Sequence, residues 1–272
     1  MFPRMNDSRP PADESARTAI AQEIESVDQA VLALVVQRLR LAEGLAVPSA
    51  NGPPLRPGSE IKVLRNLLKN TGGAEPELVI ELWRSLSAAS TRRERVVDVV
   101  VGGARNDPSR LFDIARRHFG ARTRIAHVGE PQQALTRVLE NPASCVAVLP
   151  WPAAPNVGSW WPALSESRFH KLNLIAGLPI AGPIAETPEA CVFSASAPEP
   201  AGDDVTLVMF DDPHHRAQRA LSDAGLSGKE VARSEPRALV RIEGFVAADD
   251  PRVKAMGGSV ERVRVLGSYA RV

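Results

Sequence analysis

Arg38 occupies a slot in a stripe whose every other position is apolar. Ile20, Ile24, Val27, Val31, Leu34, Arg38, Leu41 and Leu45 are separated by alternating gaps of four and three, the spacing of one helical face. A guanidinium taken out of water there costs several kcal/mol unless an anion meets it, so the position calls for a protein carboxylate or a ligand anion. The bland alternative is a side chain that snorkels, or pairs with an internal glutamate. Further along, Trp83, Leu86, Ser90 and Glu94 are spaced three, four and four, which carries a hydroxyl and a carboxylate onto an otherwise apolar face. They are either polar groups with a task or the end of a helix emerging into solvent.

The elements that must position these groups are helical. Residues 16–46 contain no proline and only Gly44 as a weakening residue, which predicts one helix of about 30 residues, ~45 Å long. A helix of that length normally finds a partner helix, so a homodimer through it is expected. Pro48 and the run Asn51-Gly52-Pro53-Pro54 end it, because proline lacks the amide donor and biases its predecessor away from helix. A second helix is predicted from Ser59 as N-cap, with Glu60 in its first turn and Ile61, Leu64, Leu67 and Leu68 on one side, closed by Gly72 and Gly73. A third starts at Pro76 and runs past Arg93, with Val79, Leu82, Trp83 and Leu86 facing inward.

The composition of the chain changes at residue 96. A β-branched run at 96–101 leads to Gly102-Gly103, and Asp107-Pro108 then supplies an N-cap and first position for a helix ending at Gly120. Residues 122–127, a helix after Pro131 and residues 144–149 continue the alternation of strand and helix, the signature of a mostly parallel sheet. Gly102-Gly103 ahead of a helix could cradle a carboxylate or phosphate, but a tight turn is the better reading. Trp151, Trp160 and Trp161 fall in a Pro-rich loop, where burial is expected because exposed together they would form an adhesive patch. Residues 196–204 read as a linker, and His214 and His215 as surface positions without metal-ligand spacing.

Bulk properties narrow the partners. At 272 residues two or three compact units are expected. A formal net charge of +1 provides no field to hold nucleic acid or an anionic membrane surface. No apolar run approaches the roughly 20 residues that span a bilayer, and the polar, Pro-containing N-terminus lacks a secretory core. Cys145 and Cys191 each sit in a short apolar run that reads as a buried strand, and the cytoplasm is the expected compartment.

The run Ile24-Glu25-Ser26-Val27-Asp28-Gln29-Ala30-Val31-Leu32-Ala33-Leu34, followed by Arg38, Leu41 and Ala42, resembles the opening helix of the all-helical chorismate mutases. Arg56-Pro57-Gly58-Ser59-Glu60 with Val63-Leu64 resembles the start of their second helix, and Leu82-Trp83-Arg84-Ser85-Leu86-Ser87-Ala88-Ala89-Ser90 their closing helix. The resemblance spans residues 16–98 and implies a dimeric three-helix domain that rearranges chorismate to prephenate, with no nucleophile, cofactor or metal. Such a site holds a dicarboxylate in a near-attack shape and places donors on the ether oxygen that gains negative charge. Carried over residue by residue, Arg38 binds a substrate carboxylate, Glu60 bonds the substrate hydroxyl, and Ser90 assists a carboxylate, with Arg40 or Arg56 as a partial substitute for the cations that the family has and this chain lacks. Glu94 stands where the family usually has the ether-facing Gln, and a carboxylate donates there only when protonated. Ala21, Ser49 and Ser59 stand where the family has cations, so weak activity is expected, with a non-catalytic regulatory or binding protein as the alternative.

Phe119-Gly120, Val146-Ala147-Val148-Leu149-Pro150 and Leu172-Asn173-Leu174-Ile175-Ala176 resemble the prephenate dehydratase region of the bifunctional chorismate mutase/prephenate dehydratases. Leu239-Val240-Arg241-Ile242-Glu243-Gly244-Phe245, Asp250-Pro251-Arg252-Val253 and Val265-Leu266-Gly267-Ser268-Tyr269 resemble the end of their ACT domain. The implied fold class is multidomain α + α/β. A tail at 1–15 precedes the helical domain at 16–98. A reduced one-lobe α/β (periplasmic-binding-like) region follows at 99–195, then the linker at 196–204 and an ACT-like α+β region at 205–272. Pro150-Trp151-Pro152 stands where that dehydratase has a Glu-Asn-Ser turn, and the length allows one lobe rather than two, so dehydratase activity is not expected.

Overall fold

The computed structural model describes residues 14–44, 55–103, 108–152, 160–180 and 187–272. Met1 to Asp13, Pro48, Ser49, the run from Asn51 to Pro54 and Asp107 lie outside the described residues. The chain divides into two compact units, Met1–Leu45 and Ala46–Val272.

The first unit holds one long helix, α1 (Glu14–Gly44, 31 residues), where the sequence predicts a single helix over residues 16–46. Its only buried residue is Ala42. Ile20, Ile24, Val27, Val31, Leu34 and Leu41, the apolar members of the stripe, are between 53% and 66% exposed.

The second unit begins with two shorter helices. α2 (Pro57–Leu68) starts two residues before the predicted Ser59; Arg56 takes the N-cap place without a side-chain bond, and Pro57 supplies the preset φ of a first turn. Ile61 and Leu64 are buried as the spacing requires. α3 (Pro76–Glu94) follows Gly72 and Gly73, whose φ of +64° and +96° only glycine adopts without strain. Leu82, predicted to face inward, is 52% exposed, while Ala88 and Ser90 are buried. α3 turns its Arg84/Ala88 face to the rest of the unit, which leaves Leu82 outside.

A mixed α/β region follows. β1 (Asp98–Gly102), α4 (Pro108–Phe119), β2 (Arg124–Val128), α5 (Pro131–Glu140) and β3 (Cys145–Pro150) alternate as the sequence predicts. Then come β4 (Asn173–Leu178), β5 (Ala190–Ser194), β6 (Asp204–Asp211), α6 (Ala217–Asp223), β7 (Gly228–Ser234), β8 (Arg237–Glu243), α7 (Pro251–Met256) and β9 (Glu261–Ala270). All nine strands join one sheet in the order β2-β1-β3-β5-β4-β9-β6-β8-β7. Only β2, β1 and β3 form the expected parallel run; β5 pairs antiparallel with both β3 and β4.

From β6 onward the elements run β-α-β-β-α-β, the ferredoxin-like order. Its last strand joins the earlier sheet through Leu174 of β4 and Gly267 of β9. Gly267 has φ +128°, and a Cβ there would strike the Leu174 backbone, so this close approach requires glycine. The segment read as a linker connects β5 and β6 within that sheet, where the Asp204 carboxylate accepts from the Ala201 and Gly202 amides at 2.9 Å.

The core lies on the two faces of the sheet. Trp151, Trp160 and Trp161 are buried as expected, with the Trp160 indole N–H donating to the Pro150 carbonyl at 3.2 Å. Cys145 and Cys191 are buried free thiols; burial pushes Cys145 up to about 11 and Cys191 well above the ordinary range.

Candidate functional site

Of the residues singled out from the sequence, Glu60 sits in the most developed polar surrounding. It lies in the first turn of α2, and its Oε2 accepts from Arg84 Nη1 of α3 at 2.6 Å. The other arm of Arg84 donates to the His118 carbonyl at 2.7 Å and lies 3.3 Å from His118 Nε2. The side chains of Arg84 and Glu60 are 14% and 26% exposed, so this is a half-buried ion pair that joins three helices. Among the described residues Arg84 Nε has no hydrogen-bond partner.

His118 lies near the end of α4, packed edge-on against Phe119 at 4.6 Å. Burial, and then the neighbouring Arg84 charge, hold its imidazole well below the usual value of 6.5. Gly120 follows α4 with φ +88°, and a Cβ there would meet Ala88 at 3.0 Å, so glycine lets α4 close on α3. The cavity bordered by Glu60, Arg84, Thr91, Arg92 and His118 has a volume of about 20 Å³. That is room for a single water, whereas small-molecule pockets run to several hundred Å³.

Ser90 is buried and its hydroxyl donates back to the Leu86 carbonyl at 2.9 Å, the usual arrangement for serine inside a helix. Glu94 is the last residue of α3 and half-buried. Arg84 and Ser90 are six residues apart, about 240° around a helix. Glu60 therefore meets a different face of α3 from the one that carries Trp83, Leu86, Ser90 and Glu94. Arg56 is exposed at the start of α2, and Arg38 is half-buried on α1, in the other unit.

Three side chains important here escaped the sequence reading. Arg84 and His118 meet across 34 residues, and no local pattern announces that contact. Arg65 of α2 donates to the carbonyls of Ala201 at 2.5 Å, Asp203 at 2.9 Å and Arg271 at 2.8 Å, which fastens α2 to the end of β9. An arginine beside the buried Leu64 was the available signal. Among the described residues no group of three His, Cys, Asp or Glu could hold a metal ion, and no helix is long and apolar enough to cross a membrane.

No family model matches the chain, and no curated protein matches it. Distant similarities exist among solved structures. One is GqqA, described as a novel type of quorum quenching acylase, at 15% identity over 64% of this chain and 95% of that one, TM-score 0.43. A second is prephenate dehydratase from Arthrobacter aurescens in complex with L-Phe, at 15% identity over 64% and 90%, TM-score 0.40. A third is prephenate dehydratase from Streptococcus mutans, at 14% identity over 64% and 98%, TM-score 0.39. At these scores no functional statement rests on them.

Proposed function

We propose that this chain is a chorismate mutase-type protein: a homodimer through α1 that binds chorismate or a similar small dicarboxylate and rearranges chorismate to prephenate, slowly. The observation that carries this reading is Arg38, half-buried on a helix whose stripe of six large apolar side chains is otherwise open to water. Covering each such side chain is worth about 1.5–3 kcal/mol, so a second copy of α1 has ample reason to close on the stripe. In this reading a ligand carboxylate adds to the interaction that Arg38 already makes.

In this reading Arg38, with Arg56, holds substrate carboxylates, Ser90 supports one of them, Glu60 takes the hydroxyl, and Glu94 faces the ether oxygen. The reaction is unimolecular, so the work is to compact the substrate and stabilise developing charge. The β-α-β-β-α-β order of the last third supports an ACT-like reading of that part. Two unpaired thiols suit the cytoplasm.

One observation favours a second reading, a non-catalytic binding protein. Glu60 is held by Arg84, and the cavity beside it admits no dicarboxylate. The test is loss of chorismate with the purified full chain at about pH 5 and about pH 7.5. The enzyme reading expects slow turnover, faster at the acidic pH and abolished in Arg38→Ala. No turnover at either pH from folded protein sinks it; chorismate binding that depends on Arg38 then supports the second reading, and no binding removes both.

A further inference from the structure

A second polar cavity shares no bordering residue with the one at Glu60 and has the opposite character. It encloses about 480 Å³ and is bordered by three arginines, Arg237, Arg262 and Arg264, against a single carboxylate, Asp211. That volume falls in the range of small-molecule sites.

The strand pairing explains how the charges gather. Asp211 ends β6 and lies directly across from Arg237 of β8. Arg262 and Arg264 come from β9, where the register with β6 shifts between Met209 and Asp211 and Arg262 takes a φ of +51°, and both border the cavity. Asp211 is 4% exposed and is shared by Arg237, whose Nε lies 3.3 Å away, and Arg262, which also contacts it. One carboxylate thus serves two guanidinium groups. Among the described residues Arg264 has no acid within ion-pair distance; its guanidinium donates to the carbonyls of Leu164, Phe169 (2.7 Å) and Leu172 (3.1 Å). Burial alone lowers its pKa to about 10, a sign of a cation with no countercharge. Glu261, paired with Asp211 in register, does not border the cavity.

Two positive charges are therefore left over in one concave space. Met209, Val263 and Val265 give it an apolar border, while Ser165 and Asn173 add neutral polar groups. Arginine matches carboxylate and phosphate oxygens with its planar fork of donors. We propose that this cavity is a binding site for a small organic dianion, a dicarboxylate or a phosphate monoester with a compact apolar body. It is independent of the mutase reading, since it uses no residue of α1, α2 or α3.

The experiment is calorimetric titration of the full chain with succinate and, separately, glycerol 3-phosphate, up to about 10 mM each. Saturable binding of either is expected, and which one binds more tightly separates the carboxylate source from the phosphate source. Arg262→Gln should weaken that binding about tenfold or more, and Arg237→Gln by a similar factor with a lowered melting temperature, because each removes a charge-assisted bond and Arg237 is also the partly buried partner of Asp211. Arg124→Gln, which alters an exposed arginine on β2, should leave it unchanged. No saturable heat with either probe overturns the proposal. So does binding that both cavity variants leave intact. Since Arg262 is 73% exposed, its substitution tests the charge without removing a core contact.

Discussion

Helix α1 and strand β6 are both rich in large apolar side chains, and they meet opposite fates. All eight residues of β6 are buried, between β9 on one side and β8 on the other. Of the 31 residues of α1, only Ala42 is buried. A central strand is covered by its own sheet and the layers on it, so its pattern is satisfied within its own unit. A helical stripe specifies that a face must be covered and leaves open what covers it. In the proposed dimer, what covers α1 is a second copy of the chain.

Charging the stripe should produce the largest effect. Val27→Glu with Val31→Glu places like charges in the middle of the proposed dimer face, and the dimer dissociation constant should rise by about a thousandfold or more. Sedimentation equilibrium reads this directly. Unfolding of the second unit should change by less than about 0.5 kcal/mol, since neither side chain belongs to it. An unaltered dimer, or a wild-type chain that is already monomeric, removes the partner assigned to α1. The reciprocal change is Phe210→Ala in β6, where the ring is fully buried. It should lower stability by about 3–5 kcal/mol in urea unfolding and leave the oligomeric state alone.

These contrasts also show where the sequence was readable. The long helix and the alternation from β1 to β3 follow from local signals: the three-four spacing, the β-branched run and the proline and glycine punctuation. The burial of the three tryptophans followed from their apolar area. The antiparallel placement of β5 between β3 and β4 did not, because strand partners are chosen over long separations that no period records. Residues 196–204 have a linker's composition, yet the Asp204 carboxylate, satisfied by the Ala201 and Gly202 amides, folds them into the unit. Glu60 was visible as an acidic first-turn residue. Its engagement by Arg84 was not, since a contact between two helices 24 residues apart leaves no local trace.

That ion pair offers a sharper probe of how self-contained the second unit is. Arg84→Ala leaves the Glu60 carboxylate half-buried without its cation and the His118 carbonyl without its donor. The expected loss is about 2–3 kcal/mol, below that of a fully buried pair because both side chains retain some exposure. Arg124 and Asp98, 3.5 Å apart and both exposed, are the internal control: Arg124→Ala should cost no more than about 0.5 kcal/mol. Equal losses in the two variants would mean that the α2, α3 and α4 junction is wetter than its geometry indicates.

The smallest effect expected is a pH dependence that belongs to the same junction. His118 is buried, with Arg84 Nη2 3.3 Å from its Nε2, an arrangement that suits an unprotonated ring nitrogen. Glu60, Arg84 and Arg92 are the charged groups bordering the same cavity. Because the folded-state pKa lies below the unfolded value of about 6.5, the unfolded chain takes up a proton in mild acid that the folded chain refuses. The stability tied to neutral His118 is therefore complete above about pH 6.5 and declines as the pH falls toward the folded-state value, at up to about 1.4 kcal/mol per pH unit. Urea unfolding at about pH 7.5 and about pH 5.5 should show roughly 1 kcal/mol more loss in the wild type than in His118→Asn, which has no proton to gain. Identical pH slopes in the two proteins would place that imidazole in contact with water and undo the dry-junction picture. The stripe on α1, which contains no histidine, should show no such dependence in its association over the same range.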